Sequence, residues 1–87
     1  MISRTRPSFW SLYADLGETS RAAARRAYEL FSKDPGHPSL HFKKLGGLEN
    51  VWSVRVTRDI RAVAERQGDI VVWFWIGTHG EFDKLFS

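Results

Sequence analysis

Six side chains in the second half of the chain carry charge or proton-transfer capacity at close spacing: Lys43, Lys44, Arg55, Arg58, Arg61 and His79. No carboxylate of obvious role stands among them. The set suits one reaction class. An RNA strand cleaves itself when its own 2′-OH attacks the adjacent phosphate. A catalyst must take the hydroxyl proton, stabilise added negative charge on the phosphoryl oxygens, and protonate the leaving 5′ oxygen. Lysine and arginine supply the electrostatic part. Histidine moves protons near neutral pH. Neither a metal ion nor a cofactor is required. A plainer role fits the same residues: Arg55, Arg58 and Arg61 as the polar faces of solvent-facing strands, and His79 as an exposed first-turn helix residue.

Other chemistries find less support. His37 and His41 are close in sequence, but Pro38 between them forbids the helix that would bring them together. No cysteine or clustered carboxylate completes a zinc or iron site. Gly46-Gly47 lacks the Lys-Ser/Thr ending of a phosphate loop. No serine sits in a nucleophile motif.

The basic set must be positioned by the stretch 45–82. Three β-type runs lie there, at 51–57, 60–66 and 70–76. The last is apolar at every position, so it must be covered on both faces. Arg58-Asp59 and Gln67-Gly68-Asp69 are turn sequences, which makes these runs antiparallel hairpins. Thr78 and Glu81 have capping-box spacing. They place His79 at the start of a terminal helix over 78–85, with Phe82, Leu85 and Phe86 packing back. A histidine there can accept the 2′-OH proton, so His79 is the candidate general base, with Arg55 and Arg61 on the phosphate. Lys43, Lys44 and Arg58 are candidate RNA-binding residues.

The first half reads as cover for this sheet. Residues 1–6 are too brief and polar to assign beyond a possible edge strand. Pro7 opens a helix over 7–16, whose Phe9, Trp10, Leu12, Tyr13 and Leu16 recur at helical spacing. Gly17 ends it as a C′ residue. A second helix, 18–33, buries Ala23, Ala27, Leu30 and Phe31 and pairs Arg25 with Glu29 on its solvated face. Together they form a helical hairpin. Pro35-Gly36 stops the second helix. Residues 39–43 alternate as a short strand or extended arm, with Leu40 and Phe42 on one side and His41 and Lys43 on the other. The fold class is α+β: an N-terminal helical hairpin, a small and mainly antiparallel sheet, and a short C-terminal helix.

Eighty-seven residues are enough for a single domain spanning 1–87. A domain this small buries only about 60–65% of its unfolded surface, so its stability margin is thin. The formal net charge of +3 fits either a solvated surface or a polyanion partner. The lack of cysteine fits a reducing cytoplasm. No apolar run follows the N-terminal arginines, so no signal peptide is expected. The run 70–76 is far shorter than the roughly 20 residues that span a bilayer, so no membrane partner is expected.

Several of these motifs together resemble the RelE/ParE toxins of bacterial type II toxin–antitoxin modules. They are Leu45-Gly-Gly, the run Val51-Trp52-Ser53-Val54-Arg55-Val56, Ile60-Arg61-Ala62, and Val72-Trp73-Phe74-Trp75-Ile76-Gly77-Thr78-His79. The entry Phe9-Trp10-x-Leu12-Tyr13 and the connector Asp34-Pro35-x-His37-Pro38-Ser39-Leu40 resemble the same group. The resemblance implies two helices packed on a curved, RelE-like sheet and a cognate antitoxin that wraps and blocks the toxin. Two targets occur in the superfamily: mRNA on the ribosome, cut by an endonuclease, and DNA gyrase, which is bound without RNA cleavage. In the RNase branch, Arg61 matches the arginine ahead of the final strand, and Arg55 sits where some members carry a catalytic lysine. His79 lies near a C-terminal catalytic position. Lys43 and Lys44 match a basic approach to the sheet. Ser53 departs from a lysine of some RNases, and Phe82 departs from a tyrosine.

Overall fold

A computed structural model describes residues 1–86. Its elements are β1 (Ile2–Thr5), α1 (Pro7–Ala14), α2 (Glu18–Lys33), a 3₁₀ turn (Pro38–Leu40), β2 (Lys43–Lys44), β3 (Val51–Arg55), β4 (Ile60–Gln67), β5 (Ile70–Thr78) and α3 (His79–Phe86). The strands form one open sheet in the order β1-β5-β4-β3-β2. Three neighbouring pairs are antiparallel, as expected. The pair β1–β5 is parallel, which makes the sheet mixed. Four of the six residues too polar to assign thus find their place through backbone pairing, from Ile2↔Ile70 to Thr5↔Trp73.

Helices α1 and α2 cover one face. Phe31, Leu40, Val54, Ile60, Ala62, Ala64, Val71, Trp73 and Ile76 make the main core there. The other face carries a smaller core of Leu45, Val63, Trp75 and Phe82 beneath α3. Strand β5 feeds both cores, as its unbroken apolar run requires. It does so through an irregularity. Val63 pairs with Trp75 and Ala64 with Trp73, so Phe74 is an extra residue in the ladder. The bulge sends Trp73 to the main core and Trp75, two residues on, to the α3 side. Ser8 Oγ, in the first turn of α1, donates to the Phe74 carbonyl at 2.9 Å.

Several local expectations change. Helix α1 stops at Ala14, and Gly17 has φ −68 and ψ 163, so it is the extended N-cap of α2 and not a left-handed C′ residue. Arg25 bonds the Tyr13 hydroxyl and pairs with Glu18 at the start of its own helix, about two turns back, where Glu29 was expected. Residues 39–41 are no strand, because the 3₁₀ turn occupies them and His41 closes it at φ 45. Strand β3 ends at Arg55, since Thr57 Oγ1 accepts from the N–H groups of Asp59 and Ile60 and starts the turn early. Of the terminal helix's apolar residues, Phe82 is buried and Leu85 is 62% exposed.

Candidate active cleft

The sheet register decides which polar side chains share a face. Lys43 pairs with Ser53, Ser53 with Val63, and Val63 with Trp75. The next row toward the β3–β4 turn is Arg55, Arg61 and Gly77. Alternation along strands puts both rows on the α3 side. A cleft of about 540 Å³ opens over them. Five of the six sequence-predicted residues line it: Lys43, Lys44, Arg55, Arg61 and His79. Arg58 does not. It is exposed in the β3–β4 turn, where its carbonyl accepts from Arg61.

Arg55 and Arg61 are direct cross-strand partners, an arrangement of like charges that costs energy when left without an anion. Burial, then the like charge of Arg55, pulls the Arg61 guanidinium below the ordinary arginine range, while Asp83 and Asp59 act in the other direction. The side chain is held all the same. Its Nη1 donates to the carbonyls of Thr57 at 2.7 Å, Arg58 at 3.1 Å and Ile60 at 3.2 Å. One nitrogen therefore anchors the fork and holds the guanidinium in the cleft lining.

His79 is set by three devices. Its backbone N–H donates to the Asp59 carbonyl at 2.7 Å, tying α3 to the β3–β4 turn. The capping box forms as predicted, with Thr78 N–H donating to Glu81 Oε1 and Glu81 N–H to Thr78 Oγ1. Its Nε2 lies 3.5 Å from Asp83 Oδ1, one helical turn on. That carboxylate was missed in the sequence, although i,i+4 spacing within the terminal helix was the signal for it. Gly77 makes room below. A Cβ there would stand 2.7 Å from Trp75 Cζ2 and 3.1 Å from Glu81 Oε1.

Two further residues complete the lining. Ser53 is buried in the floor at 3% exposure, and His41 stands at the edge beside Lys43. The arrangement offers a guanidinium pair for a phosphodiester, lysines along one edge for the flanking strand, and an imidazole at the opposite end. Among the described residues, no three of His, Cys, Asp and Glu gather as a metal-binding group, and no helix is long and apolar enough to cross a membrane.

A model of the ParE-like toxin domain matches residues 19–84. No curated protein matches the sequence. Among solved structures, the chain is similar to the RelB–RelE antitoxin–toxin complex from Methanococcus jannaschii, with TM-score 0.76 at 15% identity, covering 97% of this chain and 99% of the other. It is similar to the YoeB/ParE toxin from Agrobacterium tumefaciens, with TM-score 0.70 at 18% identity over 91% and 99% of the two chains. The Escherichia coli RelBE toxin–antitoxin complex gives TM-score 0.66 at 16% identity over 87% and 93%. At these identities the likeness is one of fold.

Proposed function

We propose that this chain, which belongs to the ParE-like toxin domain family, is a metal-independent endoribonuclease that cuts mRNA on the ribosome and is silenced by a cognate antitoxin. The observation that carries this reading is convergence. Residues 43, 44, 55, 61 and 79 come from four different elements, β2, β3, β4 and α3, and line one cleft. Arg61 and Arg55 take the scissile phosphate and its developing charge. His79 accepts the 2′-OH proton, with Asp83 fixing its ring through Nε2. Lys43 and Lys44 hold the flanking backbone by charge. Arg58 lies outside this set.

An antitoxin also has a surface to occupy. A groove of about 650 Å³ opens between the helical hairpin and the sheet, walled by Phe9, Tyr13, Val54, Val56 and Ile76. Trp10 and Tyr28 at its rim are more than half exposed. The solved RelE relatives are antitoxin–toxin complexes by description, which supports a partner of that kind here. The mRNA target would place the toxin in the cytoplasm.

The second reading is a gyrase-directed toxin that binds without RNA chemistry, and the ParE-like description of the matching family favours it. Expression of the chain alone, with the 5′ ends of cellular mRNA mapped, separates the two. Cuts in phase with codons are expected. A DNA-damage response without cuts replaces the endoribonuclease by the gyrase reading.

A further inference from the structure

His41 is the least expected member of the cleft. It sits in the left-handed region at φ 45, uncommon for any residue but glycine, though histidine enters it more readily than most. The chain holds it there from both sides. Leu40 is 2% exposed in the main core, and Phe42 packs edge-on against Phe31 at 5.0 Å. The His41 N–H closes the 3₁₀ turn on the Pro38 carbonyl at 3.2 Å. With both neighbours anchored in the main core, His41 is left exposed on the cleft side. Backbone strain of this kind persists only where surrounding structure fixes it, and it gathers at functional sites.

Its position at the edge of the sheet gives the strain a purpose. His41 lies two residues before Lys43 at the β2 edge and lines the cleft together with Arg55, the outer member of the arginine row. His79 stands beyond the inner end of that row, past Gly77. The 3₁₀ turn packs against β3, and α3 packs against β4 and β5. The two imidazoles therefore approach the arginine pair from opposite sides. The backbones of β2 and β5 lie three interstrand spacings apart, roughly 14 Å. In-line displacement at phosphorus needs its proton acceptor and proton donor on opposite sides of the phosphate.

We propose that His41 is the second proton-transfer residue of the cleft, donating to the leaving 5′ oxygen. The proposal rests on the endoribonuclease reading and deepens it. The 2′ oxygen gives its proton to His79 and forms a bond to phosphorus. The bond from phosphorus to the 5′ oxygen breaks, and that oxygen takes the proton of His41. A 2′,3′-cyclic phosphate and a 5′-hydroxyl result. The protonated His79 and neutral His41 exchange protons with water to reset. Arg55 and Arg61 hold the phosphorane-like charge between them, and no redox or metal step is involved.

The test uses the full chain on ribosomes carrying mRNA with either an oxygen or a sulfur at the scissile 5′ position. Sulfur leaves without a proton donor. His41→Asn keeps a residue that accepts the left-handed conformation and cannot donate in this step. It should cut the oxygen substrate about 10²–10⁴-fold more slowly than wild type and recover most of that loss on the sulfur substrate. His79→Gln should be slow on both. His41→Gly, which suits positive φ better still, should regain rate with added imidazole. Equal rates for His41→Asn and wild type overturn the proposal. So does equal slowness on both substrates with no imidazole rescue of the glycine variant. If wild type cuts neither substrate, the endoribonuclease reading itself falls, and the role of His41 falls with it.

Discussion

The two faces of the sheet are built to different standards. The face under α1 and α2 is closed by nine buried apolar residues and carries an apolar groove. The face under α3 rests on four, and its other half is the basic cleft. Folding free energy scales with apolar area buried, so the first face holds the fold together and the second is held by it. A cleft that pairs Arg55 with Arg61 could not afford the desolvation of a full core around them. The helix bearing His79 is therefore the least secured part of the site. Its attachment depends on a small cluster, a capping box and one hydrogen bond to Asp59.

The largest test of this contrast swaps one phenylalanine on each face. Phe31→Ala removes a ring 2% exposed that contacts Phe42 and Trp73 edge-on. It should cost about 3–5 kcal/mol, against a total stability of roughly 5–15, and lower melting of the whole molecule. Phe82→Ala should instead release α3 and leave the rest folded. Hydrogen exchange should then lose protection in 79–86 and keep it in β3–β5. Uniform loss of protection in Phe82→Ala would mean that the two faces are one cooperative unit.

Next comes chemistry on the weaker face. Arg61→Ala should raise the cleavage barrier by about 2.7–4 kcal/mol, the range for removing one charge-stabilising donor, with melting nearly unchanged. Arg61→Lys should recover little, because the fork that reaches the carbonyls of Thr57, Arg58 and Ile60 and a phosphate together is lost. Arg58→Ala, outside the cleft, should change the rate far less. A wild-type rate in Arg61→Ala would remove Arg61 from the site.

Gly77→Ala probes how tightly the small core fills. The new methyl would meet the Trp75 ring at 2.7 Å, and that ring is backed by Phe86 at 5.3 Å between centroids. Overpacking of this kind costs about 1–3 kcal/mol. The strain should appear first in α3, as faster exchange and slower cleavage, before the main core notices. A variant as stable and active as wild type would show that Trp75 has room to move.

How much of this was legible in the sequence follows from the physics of each piece. Helix α2 was legible from its stripe of Ala23, Ala27, Leu30 and Phe31, because one helix period controls burial. The capping box was legible because its bonds are local. Strand β1 was not, since Ile2–Thr5 carry little burial pattern and gain order from backbone pairing to β5, some seventy residues away. The bulge at Phe74 was hidden inside an apolar run that looks the same on either face. Without it, Trp75, Gly77 and His79 would not be shifted to the cleft side. Arg55, Arg61, Lys43, Lys44 and His79 were visible by type and spacing. Asp83 was not singled out at all, and His41 was weighed only as a metal ligand beside His37 and as part of an extended arm.

The smallest effect compares two carboxylates, one serving each face. Glu81 is held below its ordinary value of 4.5, first by the Thr78 backbone N–H and then by its hydroxyl. Glu18 is also lowered, first by its hydrogen bond to Arg21 and then by that residue's charge. A carboxylate whose folded pKa is depressed favours the ionised native state. Its stabilising contribution is fully present above 4.5 and is lost as pH falls through the lowered folded value. Glu81→Gln and Glu18→Gln should therefore each melt below wild type at neutral pH, with both gaps closing in acid. Salt separates them. The Glu18–Arg21 pair is an exposed ion pair that added salt screens. The Glu81 bond to a backbone N–H keeps more of its effect, since its partner carries no net charge. Melting curves at low and high salt should thus close the Glu18→Gln gap and leave most of the Glu81→Gln gap open. If salt closes both equally, α3 is held at its start by charge and not by the cap.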